Sequence, residues 1–273
     1  MNLLQLVKHH GFGNDFLIAF HVDLDEADLA ALARAVCDRR RGVGADGLLI
    51  GESDSHAAAR MVLFNADGSR AEISGNGVRC FAHALAVRRG DLSAVTIRTD
   101  AGLRRVDLEA TKDPGTVVAT ASMGNVTDIA APAGWSTLGV DPARPAAHLS
   151  VGNPHTVVAV DDLPSVDLDG LGAALPDVNL EVVSAGPDDS SITMRVHERG
   201  VGITEACGTG ACAAAVAAIR WGLARPRDGK LVVHMDGGRA SVVIDDDGAG
   251  VATVSLSGPT TYVATIELPL PNR

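Results

Sequence analysis

Two nine-residue stretches, EISGNGVRC at 72–80 and TEACGTGAC at 204–212, constrain this chain's fold more than any other feature. Each sets a small polar residue, Ser74 or Cys207, directly before a Gly-Xaa-Gly step, and each opens a run that reads as a helix. The first helix, GNGVRCFAHALAVRR at 75–89, stops at Gly90; the second, GTGACAAAVAAIRW at 208–221, stops at Gly222. A glycine just past the last helical residue is a common left-handed stop. A capped, glycine-stopped helix of similar length used twice predicts two similar halves.

Short strands flank both helices. MVLFN after 59–60, AVTIRT at 94–99, TVVATASM at 116–123 and HTVVAV at 155–160 carry β-branched and apolar residues. So do SITMRVHE at 191–198, LVVHM at 231–235, RASVVID at 239–245 and VATVSLS at 251–257. Asp236-Gly237-Gly238 and Asp247-Gly248 read as hairpin turns. A third helix is expected over 26–40, with Leu29, Leu32, Ala33 and Val36 on one stripe, acids at its start and arginines at its end. Tight turns between strands favour mixed or antiparallel sheets over a doubly wound fold. The fold class is therefore α+β, two pseudo-symmetric halves, each a mixed or antiparallel sheet wrapped around a central helix. The expected division is 1–115 plus 260–273 against 116–259, with the active site in the cleft between them. The Pro-rich stretch 130–146 reads as an ordered connection.

With 46% apolar residues but only 3% aromatic ones, the core is aliphatic. A formal net charge of −11 argues against a nucleic-acid or anionic-membrane partner, because both need a positive footprint. No stretch approaches the roughly 20 apolar residues of a membrane helix, and the N-terminal residues do not read as a signal peptide. Cys37, Cys80, Cys207 and Cys212 show no CxxC or disulfide-framework spacing, which suits a reduced, cytoplasmic protein. Cys37, Cys80 and Cys212 fall at apolar helix positions and are expected in the core.

A helix N-terminus offers unpaired backbone N–H groups and partial positive charge, and glycines there let an anion approach closely. A thiol at that cap has its pKa lowered. Two such ends sharing one carboxylate would stabilise the charge that develops when the adjacent carbon loses a proton. Residues 74 and 207 would then flank that carbon, a geometry suited to inversion by two acid–base groups. Pyridoxal chemistry needs a Schiff-base lysine, and Lys8, Lys112 and Lys230 lie beside no phosphate loop. The histidines, His9-His10 included, lack metal-ligand spacing. No strand–GxGxxG–helix unit or P-loop lysine supports nucleotide binding. No cofactor and no metal are expected.

Four motifs, KHHGFGNDFLI at 8–18, NADGSRAEISGNGVRC at 65–80, GNPHTVV at 152–158 and HERGVGITEACGTGACAAA at 197–215, closely resemble diaminopimelate epimerase. The resemblance implies two pseudo-symmetric α+β domains with the C-terminal strand returning to the first. It implies cofactor-independent interconversion of LL- and meso-diaminopimelate, in lysine and peptidoglycan precursor synthesis, by a homodimer. By position, Cys207 matches a catalytic cysteine, and His155 and Glu198 match residues that support catalysis. Gly75, Asn76, Gly208 and Thr209 match the helix ends that hold the reacting carboxylate. Asn14, Asn65, Asn153 and Asn179 match substrate-binding side chains, and Glu198 with Arg199 matches the grip on the distal amino-acid end. A double-ended amino acid needs acceptors for its far ammonium and donors for its far carboxylate, which these residues supply. Asp67 reads as turn-forming.

The sequence departs from the family at Ser74, where the motif has a second catalytic cysteine. An alcohol is a far weaker acid than a thiol. The expectation is a Cys→Ser form of the enzyme that binds diaminopimelate, exchanges a proton on the Cys207 side and epimerises slowly if at all. The alternative is a one-base lyase or dehydratase, or a non-catalytic amino-acid binder, on the same fold. Gly47 is a smaller departure, because some members carry Gln there.

Overall fold

A computed structural model describes residues 3–246 and 252–269 and divides the chain into two units. One unit runs to Ala121 and takes the chain up again at Pro259; the other is Ser122–Gly258. The first crossing lies at 121/122 rather than 115/116, because the strand beginning at Thr116 continues unbroken to Asp128. The second lies inside another long strand, Ala252–Pro269.

In the first unit the order is β1 (Leu3–Gly11), β2 (Asn14–Phe20), α1 (Glu26–Cys37), β3 (Gly47–Glu52), β4 (Ala59–Asn65) and β5 (Arg70–Ala71). It continues with α2 (Gly75–Arg89), β6 (Val95–Thr99), β7 (Gly102–Ala110) and the first part of β8 (Thr116–Asp128). The second unit holds β9 (Ala146–Ser150), β10 (Pro154–Ala159), α3 (Leu168–Ala173), β11 (Asn179–Ala185), β12 (Ser191–Glu198) and β13 (Gly202–Thr204). Then come α4 (Gly208–Arg220), β14 (Lys230–Met235), β15 (Gly238–Asp246) and the first part of β16 (Ala252–Pro269).

The pairings repeat step for step. β1–β2 is antiparallel, β2–β3 parallel, β3–β4 antiparallel, β4–β6 parallel, and β6–β7 and β7–β8 antiparallel. In the second unit β9–β10 is antiparallel, β10–β11 parallel, β11–β12 antiparallel, β12–β14 parallel, and β14–β15 and β15–β16 antiparallel. β5 on β4 is matched by β13 on β12. The C-terminal part of β16 returns to pair with β1, from Leu3↔Pro269 to His10↔Thr261. Parallel steps need crossover connections, and the four helices occupy them.

Strand patterning follows solvent exposure. β7 alternates, with Arg104, Val106 and Leu108 inside and Arg105, Asp107 and Glu109 outside. β2, β3 and β11 are buried almost throughout and so escape a period-two reading. In the first unit, Leu17, Ala19, Leu48, Ile50, Val62 and Phe64 pack with Leu29, Leu32 and Ala33 of α1. α2 packs against β1, β2, β4, β6 and β7, and α4 against β9, β10, β11, β12, β14 and β15. Every residue of α2 from Gly75 to Ala86 is buried, as is every residue of α4 from Gly208 to Ala218. The small side chains of the GTGACAAAVAA run let strands close around α4.

α1 ends at Cys37, three residues before the expected Arg40. The Asp38 carboxylate accepts from the backbone N–H groups of Arg40 and Arg41 at 2.7 and 2.8 Å, which turns the chain out of the helix. The 130–146 stretch holds a 3-10 turn at Trp135–Thr137, and Trp135 and Leu138 pack on the Val158–Leu180–Val182 core of the second unit. The Asp236-Gly237 turn forms between Met235 and Gly238. The expected Asp247-Gly248 turn lies outside the described residues.

Candidate functional site

In the first unit, Phe12 and Gly13 link β1 to β2 with φ of 58° and 83°, the double left-handed turn that joins right-twisted strands. A buried Phe in that conformation is uncommon and marks a constrained position. The turn sets Asn14 at the head of β2. Asn14 Nδ2 donates to Asp46 Oδ2 at 2.8 Å, and Asn14 Oδ1 accepts from Asn76 Nδ2 at 3.2 Å. Asn76 Oδ1 in turn accepts from Arg79 Nη2 at 2.6 Å, and the Arg79 guanidinium lies 5.0 Å from the Phe12 ring centre. Asp46 is itself held by Arg39 at 2.8 Å, and Arg39 also pairs with Asp15, which Lys8 approaches at 2.8 Å. Burial opposes ionisation of Asp15, but hydrogen bonds from Arg39 and Lys8 outweigh it and hold the carboxyl below its ordinary range.

Ser74 caps α2. Its backbone is extended (φ −127°, ψ 125°), and Oγ accepts from the Gly77 N–H at 3.0 Å. Asn14 and Asn76 therefore meet at this helix start. Asn65 instead donates to Ser69 Oγ at 3.0 Å within its own turn, which Asp67 closes by accepting from the Ser69 N–H at 2.8 Å.

The second unit repeats the cap with sulfur. Cys207 has φ −123° and ψ 114°, within about 11° of Ser74 in each angle, and its Sγ accepts from the Gly210 N–H at 3.3 Å. Thr209 Oγ1 lies 3.5 Å from Sγ and accepts from Asn153 Nδ2 at 3.3 Å. Asn153 Oδ1 meets His155 Nε2 at 3.0 Å, and His155 Nδ1 meets Glu181 Oε1 at 2.7 Å. Asn179 donates to the Pro154 carbonyl and accepts from the Arg199 N–H, both at 3.0 Å, so it ties the start of β10 to the turn after β12. Glu198, the last residue of β12, accepts from Thr204 Oγ1 at 2.5 Å and from the Cys207 thiol. His155, Asn153, Glu198, Cys207, Gly208 and Thr209 thus form one cluster, with Asn179 holding its frame.

Burial pushes the Glu198 carboxyl up to about 7 against hydrogen bonds from Thr204 and Cys207 that lower it. Cys207 is only 4% exposed; burial, with the Glu198 and Glu181 carboxylates, pushes its thiol well above the ordinary value. The cap's expected lowering of the thiol pKa is outweighed here, because two acids and desolvation act against two donors.

A sequence profile described as Diaminopimelate epimerase matches residues 6–128 and 148–263. The chain belongs to the diaminopimelate epimerase family. Diaminopimelate epimerase from Acidiphilium cryptum is 38% identical over 284 residues, covering 96% of this chain and 95% of that protein. The enzyme of the same name from Magnetococcus marinus is also 38% identical, over 285 residues, covering 97% and 96%. Among solved structures, a PhzF-family phenazine biosynthesis protein from Bacillus anthracis superposes with a TM-score of 0.75 at 18% identity, covering 99% of this chain and all of the other. A hydroxyproline epimerase from Agrobacterium vitis superposes with a TM-score of 0.71 at 16% identity, covering 97% and 92%. At these identities the structural likeness shows the fold.

Within this family frame Ser74 occupies a cap built like that of Cys207, so the missing thiol is a change of atom rather than of backbone. Gly47 faces Asn65 across the β3–β4 pair, and a Cβ there would sit 2.9 Å from the Phe64 carbonyl oxygen. A Gln at 47 therefore needs a locally shifted strand. Sequence reasoning missed Asp46, Arg39 and Glu181. The last carried a signal, an acid within the otherwise apolar run Leu180–Val183 of β11.

Proposed function

We propose that this chain interconverts LL- and meso-diaminopimelate without a cofactor, moving the α-proton on one face through Cys207. The observation that carries the reading is the repeated helix cap, with Cys207 and Ser74 in one backbone conformation at the starts of α4 and α2. The N–H groups of Gly75 and Asn76 at the start of α2 and of Gly208 and Thr209 at the start of α4 are proposed to take the substrate's α-carboxylate, since a helix N-terminus stabilises developing negative charge. Glu198 would take the thiol proton, the thiolate would remove the α-proton, and the Ser74 hydroxyl would give its proton to the opposite face and regain one from solvent. Asn14, Asn65, Asn153 and Asn179, with Glu198 and Arg199, are proposed to orient the substrate.

Ser74 makes the second face slow. Its hydroxyl already accepts from the Gly77 N–H, and an alcohol ionises far less readily than a thiol. General acid–base groups contribute roughly 10²–10⁴-fold, so restoring sulfur at position 74 should raise inversion by about that factor. The test is an NMR time course in D₂O with LL-diaminopimelate, in metal-free buffer without cofactor, comparing this chain with Ser74→Cys. Rapid meso product from Ser74→Cys and slow product from the native chain is the expected result. Equal rates would overturn the account of Ser74, and no α-proton exchange by either form would overturn the function.

We also propose a cytoplasmic homodimer. Cys37, Cys80 and Cys207 are buried, free thiols, as in a reducing compartment. No helix among the described residues is long and apolar enough to cross a membrane. A groove of about 1400 Å³ on the first unit is lined by Leu3, Val7, Phe20, Leu32, Val87 and Tyr262, and Leu3 and Val87 are each 58% exposed. A second copy of the chain is the proposed occupant.

A further inference from the structure

Glu181 is wholly buried on β11, its Oε1 is 2.7 Å from His155 Nδ1, and its Oε2 has no hydrogen-bond partner among the described residues. A buried, half-satisfied carboxyl is costly, and its retention calls for a role. α4 also lies so close that a Cβ on Gly210 would fall 2.4 Å from Oε1, so only glycine fits there without a shift.

We infer that Glu181, His155, Asn153 and Thr209 form a one-way hydrogen-bond relay that aims the Thr209 hydroxyl proton at the Cys207 sulfur. The inference rests on the proposed use of Cys207 as the transferring thiol. Direction follows from which atoms can donate. The Asn153 oxygen can only accept, so the His155 Nε2 that meets it at 3.0 Å carries a proton. The remaining half of Asn153 is an NH₂ group, which can only donate, and it donates to Thr209 Oγ1 at 3.3 Å. Thr209 accepts there and keeps one proton of its own, with the Cys207 sulfur 3.5 Å away.

Glu181 holds the start of the chain. The relay requires the Glu181–His155 pair to carry two protons, one on Nε2 toward the Asn153 oxygen and one shared between Nδ1 and Oε1 across their 2.7 Å contact. Without Glu181 the ring is free to put its proton on Nδ1 and turn a bare Nε2 to Asn153. The amide then rotates to present NH₂ to the ring and oxygen to Thr209, and the hydroxyl proton is drawn away from sulfur.

The charged groups facing the thiol are Glu198 from β12 and Glu181 from β11, with His155 of β10 behind Asn153. Against two acids, the sulfur has the Gly210 N–H and the Thr209 hydroxyl as donors, so losing one of two is measurable. Glu181 and Thr209 are positioning residues; on this face it is Cys207 that moves the substrate proton.

The thiol can be titrated without substrate by thiolate absorbance near 240 nm, as a difference against Cys207→Ala. A hydrogen bond to a charged group is worth about 1.5–3 kcal/mol, so Thr209→Val should raise the apparent thiol pKa by at least about one unit, a tenfold loss of thiolate below that pKa. Thr209→Ser should restore the native value. Glu181→Leu should raise the pKa similarly, whereas Glu181→Gln, whose NH₂ can donate to Nδ1, should stay near native. An unshifted Thr209→Val, or equal shifts in the Val and Ser forms, overturns the relay; an unshifted Glu181→Leu removes Glu181 from it. Should Glu181→Leu not fold, ¹⁵N-histidine NMR of the native chain decides: Nε2–H on His155 supports the relay, and a bare Nε2 overturns it. α-Proton exchange measured on the same samples separates failure of this inference from failure of the proposed reaction.

Discussion

At the residue scale, most of the proposed chemistry turns on Cys207, Glu198 and the atom carried by residue 74. Glu198 has a folded-state pKa near 7 because its carboxyl is desolvated, above the ordinary carboxylate value. Folding therefore takes up a proton between the unfolded and folded pKa values. The group's contribution to stability is fullest below about 4.5 and is lost as pH rises through about 7. Glu198→Gln should gain in melting temperature over the native chain from pH 5 to pH 8, as scanning calorimetry would show. In the same variant α-proton exchange should fall sharply and lose its rise through about pH 7, since the thiol proton then has no acceptor. These residues were legible because HERGVGITEACGTGAC is contiguous. Glu181 and Asp46 were not, because their partners His155 and Asn14 lie 26 and 32 positions away in sequence.

At the element scale, the two helices α2 and α4 carry the repeated caps, and both were readable from cap to glycine stop. Gly90 and Gly222 sit at φ 77° and 69°, where a side chain would be strained. The glycines inside the caps answer to packing instead. Gly210→Ala would drive a methyl group into Glu181, so it should destabilise the fold by about 1–3 kcal/mol in urea unfolding, as overpacked cores do. If stability is unchanged, α4 and β11 are not packed as described. The strands with two covered faces were the hardest to read: β2, β3 and β11 show no alternation, since helices and sheet bury both sides. β16 was read as seven residues, yet it continues to Pro269 by pairing first with β15 and then with β1. Such continuation depends on partners remote in sequence.

At the scale of the whole molecule, the net charge of −11 and the aliphatic composition set the class of partner, while oligomeric state is decided by surface. If the groove of the first unit seats a second copy, light scattering should give about twice 28.0 kDa. Leu3→Glu with Val87→Glu should return a monomer; a native monomer would remove the proposal. The duplicated cap by itself determined that the chain has two α+β halves, each built on a central helix, because capping and glycine stops are local rules acting within a few residues. Four motifs likewise determined the family. Tertiary structure alone decided that the two halves match strand by strand, that the chain crosses between units inside β8 and β16, and that a buried glutamate stands behind His155. Those outcomes depend on which distant segments bury one another's faces and satisfy one another's polar atoms, and a sequence read residue by residue does not contain that information locally.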